Sequence, residues 1–283
     1  MKVLVAGAAG YLGTELVRVL SARGHRVVGL DLDLSRLENN AEYLSNAIGA
    51  DMTRKAELKG KCDGFDAVIS TVGLEYPQKT IGYFDIDYQA NLNLLKEAER
   101  AGVKRFLYVS VILADMESDD LPPIVVAKRL FEKELMQSDL KWVVFRPTGY
   151  FKDIVNIFLK GAKKGKIRLI GDGQTKFNPL HPVDFSNFIA DNLEADNQVF
   201  EVGGPEVYSY LELGKIAFEI VGKPPKFSFM TPGGFMKFAK VMKLFKPMLY
   251  PIFHFGMWCM TNDMIGKKTG THKIVDTLTK NRG

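Results

Sequence analysis

Apolar and polar positions follow two periods along this chain, one suited to strands and one to helices. Val3 to Ala6 is a short unbroken apolar run, the pattern of a strand buried on both faces. Leu12, Leu16, Val17 and Leu20 then recur at helical spacing. Val27, Val28 and Leu30 make a second strand that ends at Asp31, and Asn46 to Ala50 a third. Further strands are expected over Phe65–Gly73, Arg105–Val111, Trp142–Phe145 and Val199–Val202. A turn into a helix is expected over Leu32–Leu37. Between Asp87 and Ala101, Tyr88, Leu92, Leu95 and Ala98 share one helical face, and Gly102 ends it. Leu121-Pro122-Pro123 breaks the chain before a helix from about Val125 to Met136; Asn178–Asp184 leads into another through about Asn192, and Tyr210–Val221 is a further one. Strands alternating with helices imply an α/β fold with a doubly wound parallel sheet of about seven strands.

The first strand-to-helix junction carries the chemistry. Gly7, Gly10 and Gly13 stand between a buried strand and a helix, the context in which a glycine-rich turn means dinucleotide binding of the Rossmann type. Gly7 permits the tight turn, Gly10 the approach of a pyrophosphate, and Gly13 close packing of helix on strand. The N–H groups of Tyr11 and Leu12 open the helix, where its dipole favours phosphate. Asp31 ends the second strand, close to the expected distance of about 20 residues for the acid that holds the adenosine ribose. A carboxylate there favours NAD over NADP, and Arg36 is the nearby cation that would serve the 2′-phosphate of NADP. Asp51 and Met52 end the third strand, where the acid either meets the adenine or caps the next segment. Gly73 lets backbone pass close to the cofactor, and the loop Leu74–Phe84, with Tyr76 and Tyr83, borders the substrate mouth. Residues 1–150 are thus expected to form the dinucleotide domain, with about 178–204 returning to it. Residues 151–177 and 205–283 are expected to form a smaller, discontinuous lobe.

Composition narrows the class. A hydrophobic fraction of 46% and a charged fraction of 25% are ordinary for a soluble globular protein. No signal peptide is expected, since Glu15, Arg18 and Arg23 follow the first apolar run. No run reaches the roughly 18 apolar residues of a spanning helix. Cys62 and Cys259 are the only cysteines, without metal-ligand spacing, which suits a cytoplasmic protein with reduced thiols and no metal. The net charge of +5 is mild, and no nucleic-acid partner is expected. One basic stretch stands out: Phe235, Phe238, Ala239, Met242 and Phe245 recur at helical spacing, with Lys237, Lys240, Lys243 and Lys246 among them. Residues 235–260 therefore read either as a helix packed on the smaller lobe or as a peripheral membrane contact.

Several stretches together resemble one family. The GxxGxxG turn, NLNLLKEAERAGVKRFLYVS, AKRLFEKEL, FRPTGYFKDI, KKGKIRLIGDG, HPVDFSNFIAD and FEVGGPEVYSYLELGKIA are similar to an atypical short-chain dehydrogenase/reductase. Within it the chain most resembles the group that holds divinyl chlorophyllide 8-vinyl reductase and the NmrA-like and isoflavone-reductase-like NAD(P)H-binding proteins. The resemblance runs from Lys2 to about Ala217. It implies that Thr71, Val72, Gly73, Ser110, Lys128, Pro147 and Thr148 surround the nicotinamide half of the cofactor. It also implies a lysine paired with a tyrosine four residues earlier. Lys128 matches the lysine, but Ile124 stands at the tyrosine position. The vinyl-reductase and isoflavone-reductase groups share that departure and, as the resemblance implies, reduce activated C=C bonds or related centres.

The proton must then come from elsewhere. Lys128 is a proton donor, a ribose ligand or an exposed helical lysine; Tyr150, Ser110 and His181 are further candidates, and Asn91 either packs or positions a water. The first reading is an NAD(P)-dependent reductase of an apolar or aromatic small molecule, with Tyr76, Tyr83, Tyr150 and Phe151 offered to it. The second is a non-catalytic NAD(P)-binding sensor or assembly protein of NmrA-like type. A sugar-nucleotide epimerase or dehydratase is weaker, because Ile124 cannot transfer a proton. Lys128→Ala is expected to weaken cofactor binding with little change in folding.

Overall fold

The computed structural model describes residues 1–282. In chain order it opens with β1 (Lys2–Ala6), α1 (Tyr11–Ala22), β2 (Arg26–Asp31), β3 (Asn46–Gly49), α2 (Lys55–Leu58), β4 (Ala67–Ser70), α3 (Asn91–Arg100), β5 (Arg105–Val109), α4 (Pro123–Met136) and β6 (Lys141–Pro147). There follow α5 (Phe151–Lys163), β7 (Ile167–Ile170), β8 (Lys176–Phe177), α6 (Pro182–Asp191), β9 (Gln198–Gly203), β10 (Tyr208–Ser209) and α7 (Tyr210–Val221). The chain closes with β11 (Phe227–Met230), α8 (Pro232–Phe245), α9 (Leu249–Thr261), β12 (Lys267–Lys268) and α10 (Ile274–Lys280).

The main sheet has eight strands in the order β12-β9-β6-β5-β4-β1-β2-β3. Pairing is parallel from β3 through β6 and between β9 and β12. The chain runs outward from β1 to β3 and then returns to β4 on the other side of β1, so right-handed crossovers place helices on both faces. The eighth strand, beyond the expected seven, is β12, whose two residues are too short to leave a periodic pattern.

Two compact units make up the chain. The first comprises Met1–Met116, Pro123–Arg146 and Phe185–Phe200. Its core is made by Leu4, Ala6, Val28, Leu30, Val68, Phe106 and Tyr108 from the strands, with Leu94, Leu95, Phe131 and Leu135 from α3 and α4. The second comprises Glu117–Pro122, Pro147–Asp184 and the chain from Glu201 onward. There β11 pairs with β7, β10 with β8, and Phe177 stacks on Tyr210 at 4.3 Å. Asn178 ties this unit together, since its amide donates to the Gly204 and Gly266 carbonyls and accepts from the Gly266 N–H.

Several boundaries differ from expectation for local reasons. The fourth strand is confined to Ala67–Ser70, because Thr71 to Gly73 leave the ladder for the loop over the site. The fifth ends at Val109. The stretch after Asp31 becomes a 3₁₀ helix over Leu34–Tyr43, begun by the Asp33 carboxylate accepting from the Ser35 N–H at 3.0 Å. The helix expected from Asp87 begins as a π-helical stretch over Phe84–Ala90. Asn91 supports that wider turn, since its side-chain amide donates to the Ile86 and Asp87 carbonyls at 3.1 and 3.2 Å.

Candidate functional site

The site begins where the strand order reverses, between β1 and β4. A crevice at the carboxyl ends of such strands is where open α/β sheets bind ligands. Gly7 sits at φ +76°, and a Cβ there would lie 2.8 Å from the Thr71 hydroxyl. A Cβ on Gly13 would run into the Gly7 carbonyl oxygen, so only glycine lets α1 approach β1 this closely. Gly10 is the N-cap of α1 and supplies no side-chain cap, and its N–H donates to the Gly7 carbonyl at 3.0 Å. The turn is therefore a backbone cradle at a helix N-terminus, from Tyr11 and Leu12 onward, without a resident acid in the first turn to occupy it. That geometry fits the pyrophosphate of a dinucleotide.

Asp31 is placed beside this turn. Its two carboxylate oxygens accept from the Ala9 and Leu32 N–H groups, each at 2.9 Å. Arg36 is there too, donating to the Ala9 carbonyl at 3.3 Å. The acid that would suit NAD and the cation that would suit NADP thus stand on the same loop. Asp51 makes a local turn: one oxygen accepts from the N–H and hydroxyl of Thr53 at 3.0 and 2.6 Å, and the other faces Arg54 at 3.4 Å. The Met52 side chain is buried in the apolar core, and its carbonyl accepts from Asn93.

At the far end of the crevice lies a buried charged cluster. Lys128, on α4, is only 8% exposed. Its ammonium lies 3.0 Å from the Asp87 carboxylate, donates to the Val109 carbonyl at 3.3 Å, and sits 5.4 Å from the centre of the Tyr108 ring. The reading of Lys128 as an exposed helical lysine is overturned by that burial. Asp87 has no exposed surface, and burial pushes its carboxyl above the usual range against the pull of Lys128 and the Leu74 N–H. Gly73 passes directly over this pair, where a Cβ would meet Asp87 Oδ1 at 2.9 Å and Lys128 Nζ at 3.2 Å. Thr71 turns its hydroxyl back to the Ala6 and Gly7 carbonyls, and the Val72 N–H donates to Ser70. Ser110 follows Val109 and is buried, yet its hydroxyl finds no partner in the protein. An orphaned hydroxyl one residue after the carbonyl that Lys128 holds is what a bound polar group would complete.

The helix that presents Lys128 is itself fixed. Glu132, one turn on, takes two hydrogen bonds from Arg146 at 3.1 and 2.7 Å, and Arg146 also pairs with Asp115 at 2.6 Å. Ile124 lies one turn before Lys128 on α4 and brings no titratable group. Tyr108 does not replace the tyrosine, because full burial pushes its phenol well above the ordinary value. Asn91 accepts from Ser70 at 2.5 Å and spends its amide on backbone carbonyls, so it is polar packing.

Other expected residues fall elsewhere. Pro147, Thr148, Tyr150 and His181 belong to the second unit. Thr148 is buried, its hydroxyl donating to the Asn178 carbonyl at 2.5 Å. Tyr150 precedes α5 and bridges to Leu180. His181 accepts from the Val183 N–H at 3.3 Å and stacks on His272 at 4.0 Å; burial first, then His272, pushes it below its ordinary value. Two residues expected at the substrate mouth are buried: Phe151 packs against His181, and Tyr83 is pushed to about 12 by burial and then by Asp87. Tyr76 is exposed. The one functional side chain missed is Asp87, which reads in sequence as an ordinary helix start. Its only signal is an acid two residues beyond Asp85 in an apolar stretch.

Comparison with known proteins agrees with this geometry. A family profile described as NAD(P)H-binding matches residues 7–194. The chloroplastic divinyl chlorophyllide a 8-vinyl-reductase of Cucumis sativus is 31% identical over 84% of this chain and 61% of its own length. The photosystem II assembly factor Ycf39 of a Synechocystis strain is 22% identical over 85% of this chain and 73% of its own. The chain spans about three fifths of the length of the first curated relatives it matches. Among solved structures, the NADPH-dependent quinone oxidoreductase of Escherichia coli superposes with a TM-score of 0.76 at 18% identity, covering 98% of this chain and 99% of that one. The last likeness shows a shared fold. The expected resemblance to the NAD(P)H-binding group that holds divinyl chlorophyllide 8-vinyl reductase and the NmrA-like proteins is borne out.

Proposed function

The chain belongs to the NAD(P)H-binding family, and from that premise we propose that it is a reductase of an apolar or aromatic small molecule. The bound cofactor would supply hydride to an activated C=C or carbonyl carbon. The glycine turn Gly7–Gly13 would hold the pyrophosphate, Asp31 the adenosine ribose, and Arg36 would offer a weaker place for a 2′-phosphate, so that NADH is favoured. Asp51 and the Met52 backbone would border the adenine. Thr71, Val72 and Gly73 would form the floor under the nicotinamide ribose.

The observation that carries this reading is the buried Asp87–Lys128 pair beneath Gly73. Lys128 would hydrogen-bond the ribose and not donate the proton. Loss of its proton would strand the Asp87 carboxylate in the interior without a counter-charge. Ser110 would orient the acceptor or the carboxamide. A cytoplasmic setting, in which the free thiols Cys62 and Cys259 stay reduced, is part of the same reading.

The test is oxidation of NADH and NADPH, followed at the nicotinamide absorbance, with conjugated enones, quinones and divinyl chlorophyllide as acceptors. Turnover with one of these, lost in Lys128→Met and reduced in Ser110→Ala, is expected. Tight cofactor binding with no turnover on any acceptor would instead favour a second reading. That reading is a dinucleotide-binding assembly or sensor protein, and it draws on Ile124 at the tyrosine position and on the similarity to an assembly factor.

A further inference from the structure

The helical pair α8–α9 carries a surface that the cofactor reading leaves unused. α8 packs on α9, with Ala239 buried and Phe235 and Phe238 meeting Phe253 at 5.7 and 6.0 Å between ring centres. One face of α8 stays in solvent. It presents Val241, Leu244 and Phe245 at helical spacing, with Leu244 81% and Phe245 76% exposed, and Phe238 stands at its edge, half in solvent. Lys237 and Lys240 lie on the same side. The apolar residues foreseen as one stripe are thus divided between a packed face and an open one.

Charge selects what covers this face. From Ile220 to Asn262 the sequence has six lysines, Lys223, Lys226, Lys237, Lys240, Lys243 and Lys246, and no Asp or Glu. Two carboxylates face α9 from elsewhere in the chain: Asp120, which pairs with His254 at 3.3 Å, and Asp153, near Cys259. Lys243 is engaged within the pair, over the Tyr250 ring at 4.9 Å. Lys237, Lys240 and Lys246 are exposed beside the bare apolar residues. A twofold contact between two copies would bring like-charged lysines together. A nucleic acid would leave Leu244 and Phe245 with nothing apolar to meet. An anionic bilayer surface satisfies both halves, with phosphate headgroups for the lysines and acyl chains for the Leu and Phe side chains. Among the described residues no helix is long and apolar enough to span a membrane, so the contact is with one surface.

We propose that the exposed face of α8 docks the protein on an anionic phospholipid surface, with Val241, Leu244 and Phe245 inserted and Lys237 and Lys240 at the headgroups. The inference is independent of the cofactor reading. The experiment is co-sedimentation of the full chain with phosphatidylcholine vesicles, with and without about one third phosphatidylglycerol. Binding is expected on the anionic vesicles at low salt and is expected to fall steeply with salt. Each of Lys237→Gln and Lys240→Gln should weaken it about fivefold. The double variant Leu244→Ser, Phe245→Ser should weaken it about tenfold or more, with circular dichroism and NADH affinity unchanged. Three results would overturn the proposal. The first is no pelleting at low salt, and the second is pelleting that the serine variant does not change. The third is a lipid-free dimer in sedimentation equilibrium that the serine variant dissolves, which would make a second copy the occupant.

Discussion

The two ends of the crevice in the first unit are built on different principles. At the end of β1 the site is backbone: three glycines, a helix N-terminus and carbonyls, held by short-range bonds such as Gly10 N–H to Gly7 O at 3.0 Å. At the end of β4 it is side chain: Asp87 and Lys128 arrive from separate elements and are buried as a pair, and Ser110 is buried at the end of β5. A backbone site tolerates no added atom but strands no charge when altered. A buried charged site tolerates changes of shape but not the loss of one partner. The contrast explains why glycine recurs at one end. It also explains why the other end needs Arg146 and Glu132 to brace the helix that delivers the lysine.

The largest effect should come from breaking the side-chain end. Lys128→Met leaves Asp87 buried without its counter-charge and should destabilise the fold by about 3–5 kcal/mol in denaturant unfolding. This revises the expectation that loss of Lys128 would leave folding nearly untouched. The double variant Asp87→Asn, Lys128→Met should recover much of that stability but not cofactor affinity. Equal stability of the wild type and the single variant would mean that the pair is not buried as described. At the backbone end, Gly13→Ala forces a methyl into the Gly7 carbonyl and should lower stability by about 1–3 kcal/mol while removing nucleotide binding. Calorimetric titration checks this, and retained affinity would contradict the cradle. Ser110→Ala sharpens the comparison from the other side. Its hydroxyl bonds nothing in the protein, so stability should stay within about 0.5 kcal/mol while cofactor affinity falls by about 0.5–1.5 kcal/mol.

The smallest effect lies outside both ends, at His181. Burial, helped by His272 and Lys280 against Asp184, lowers its value below 6.5 in the fold. The unfolded chain therefore takes the proton first as pH falls. Stability from the neutral ring is complete above about pH 6.5 and declines below it. Thermal unfolding between about pH 7 and 5 should show that slope, and His181→Gln should flatten it. An unchanged slope would assign the acid sensitivity to other groups.

The same contrast accounts for what could be read from residue order. The β1–α1 turn was legible, because glycine spacing, the flanking strand and helix, and Asp31 all lie within one local unit. So was the parallel sheet, whose buried strands leave unbroken apolar runs. Lys128 was found through its resemblance to a family pattern, but its partner was not. Asp87 meets it only because the chain enters α3 through a π-helical stretch, a turn whose period no apolar pattern announces. Tyr83 and Phe151 were read as pocket residues because aromatic side chains after strands suit a mouth. Their burial depends on tertiary packing that spacing does not encode. The second unit was the least legible, since β7, β8, β10 and β11 are strands of two to four residues.

The most direct test is a calorimetric titration of the purified protein with NADH and with NADPH. A dinucleotide held by the glycine turn and Asp31 predicts a single saturable site that binds NADH more tightly. Asp31→Asn should narrow the difference by admitting the 2′-phosphate beside Arg36. No saturable heat with either nucleotide would contradict the assignment of the crevice between β1 and β4 as the cofactor site.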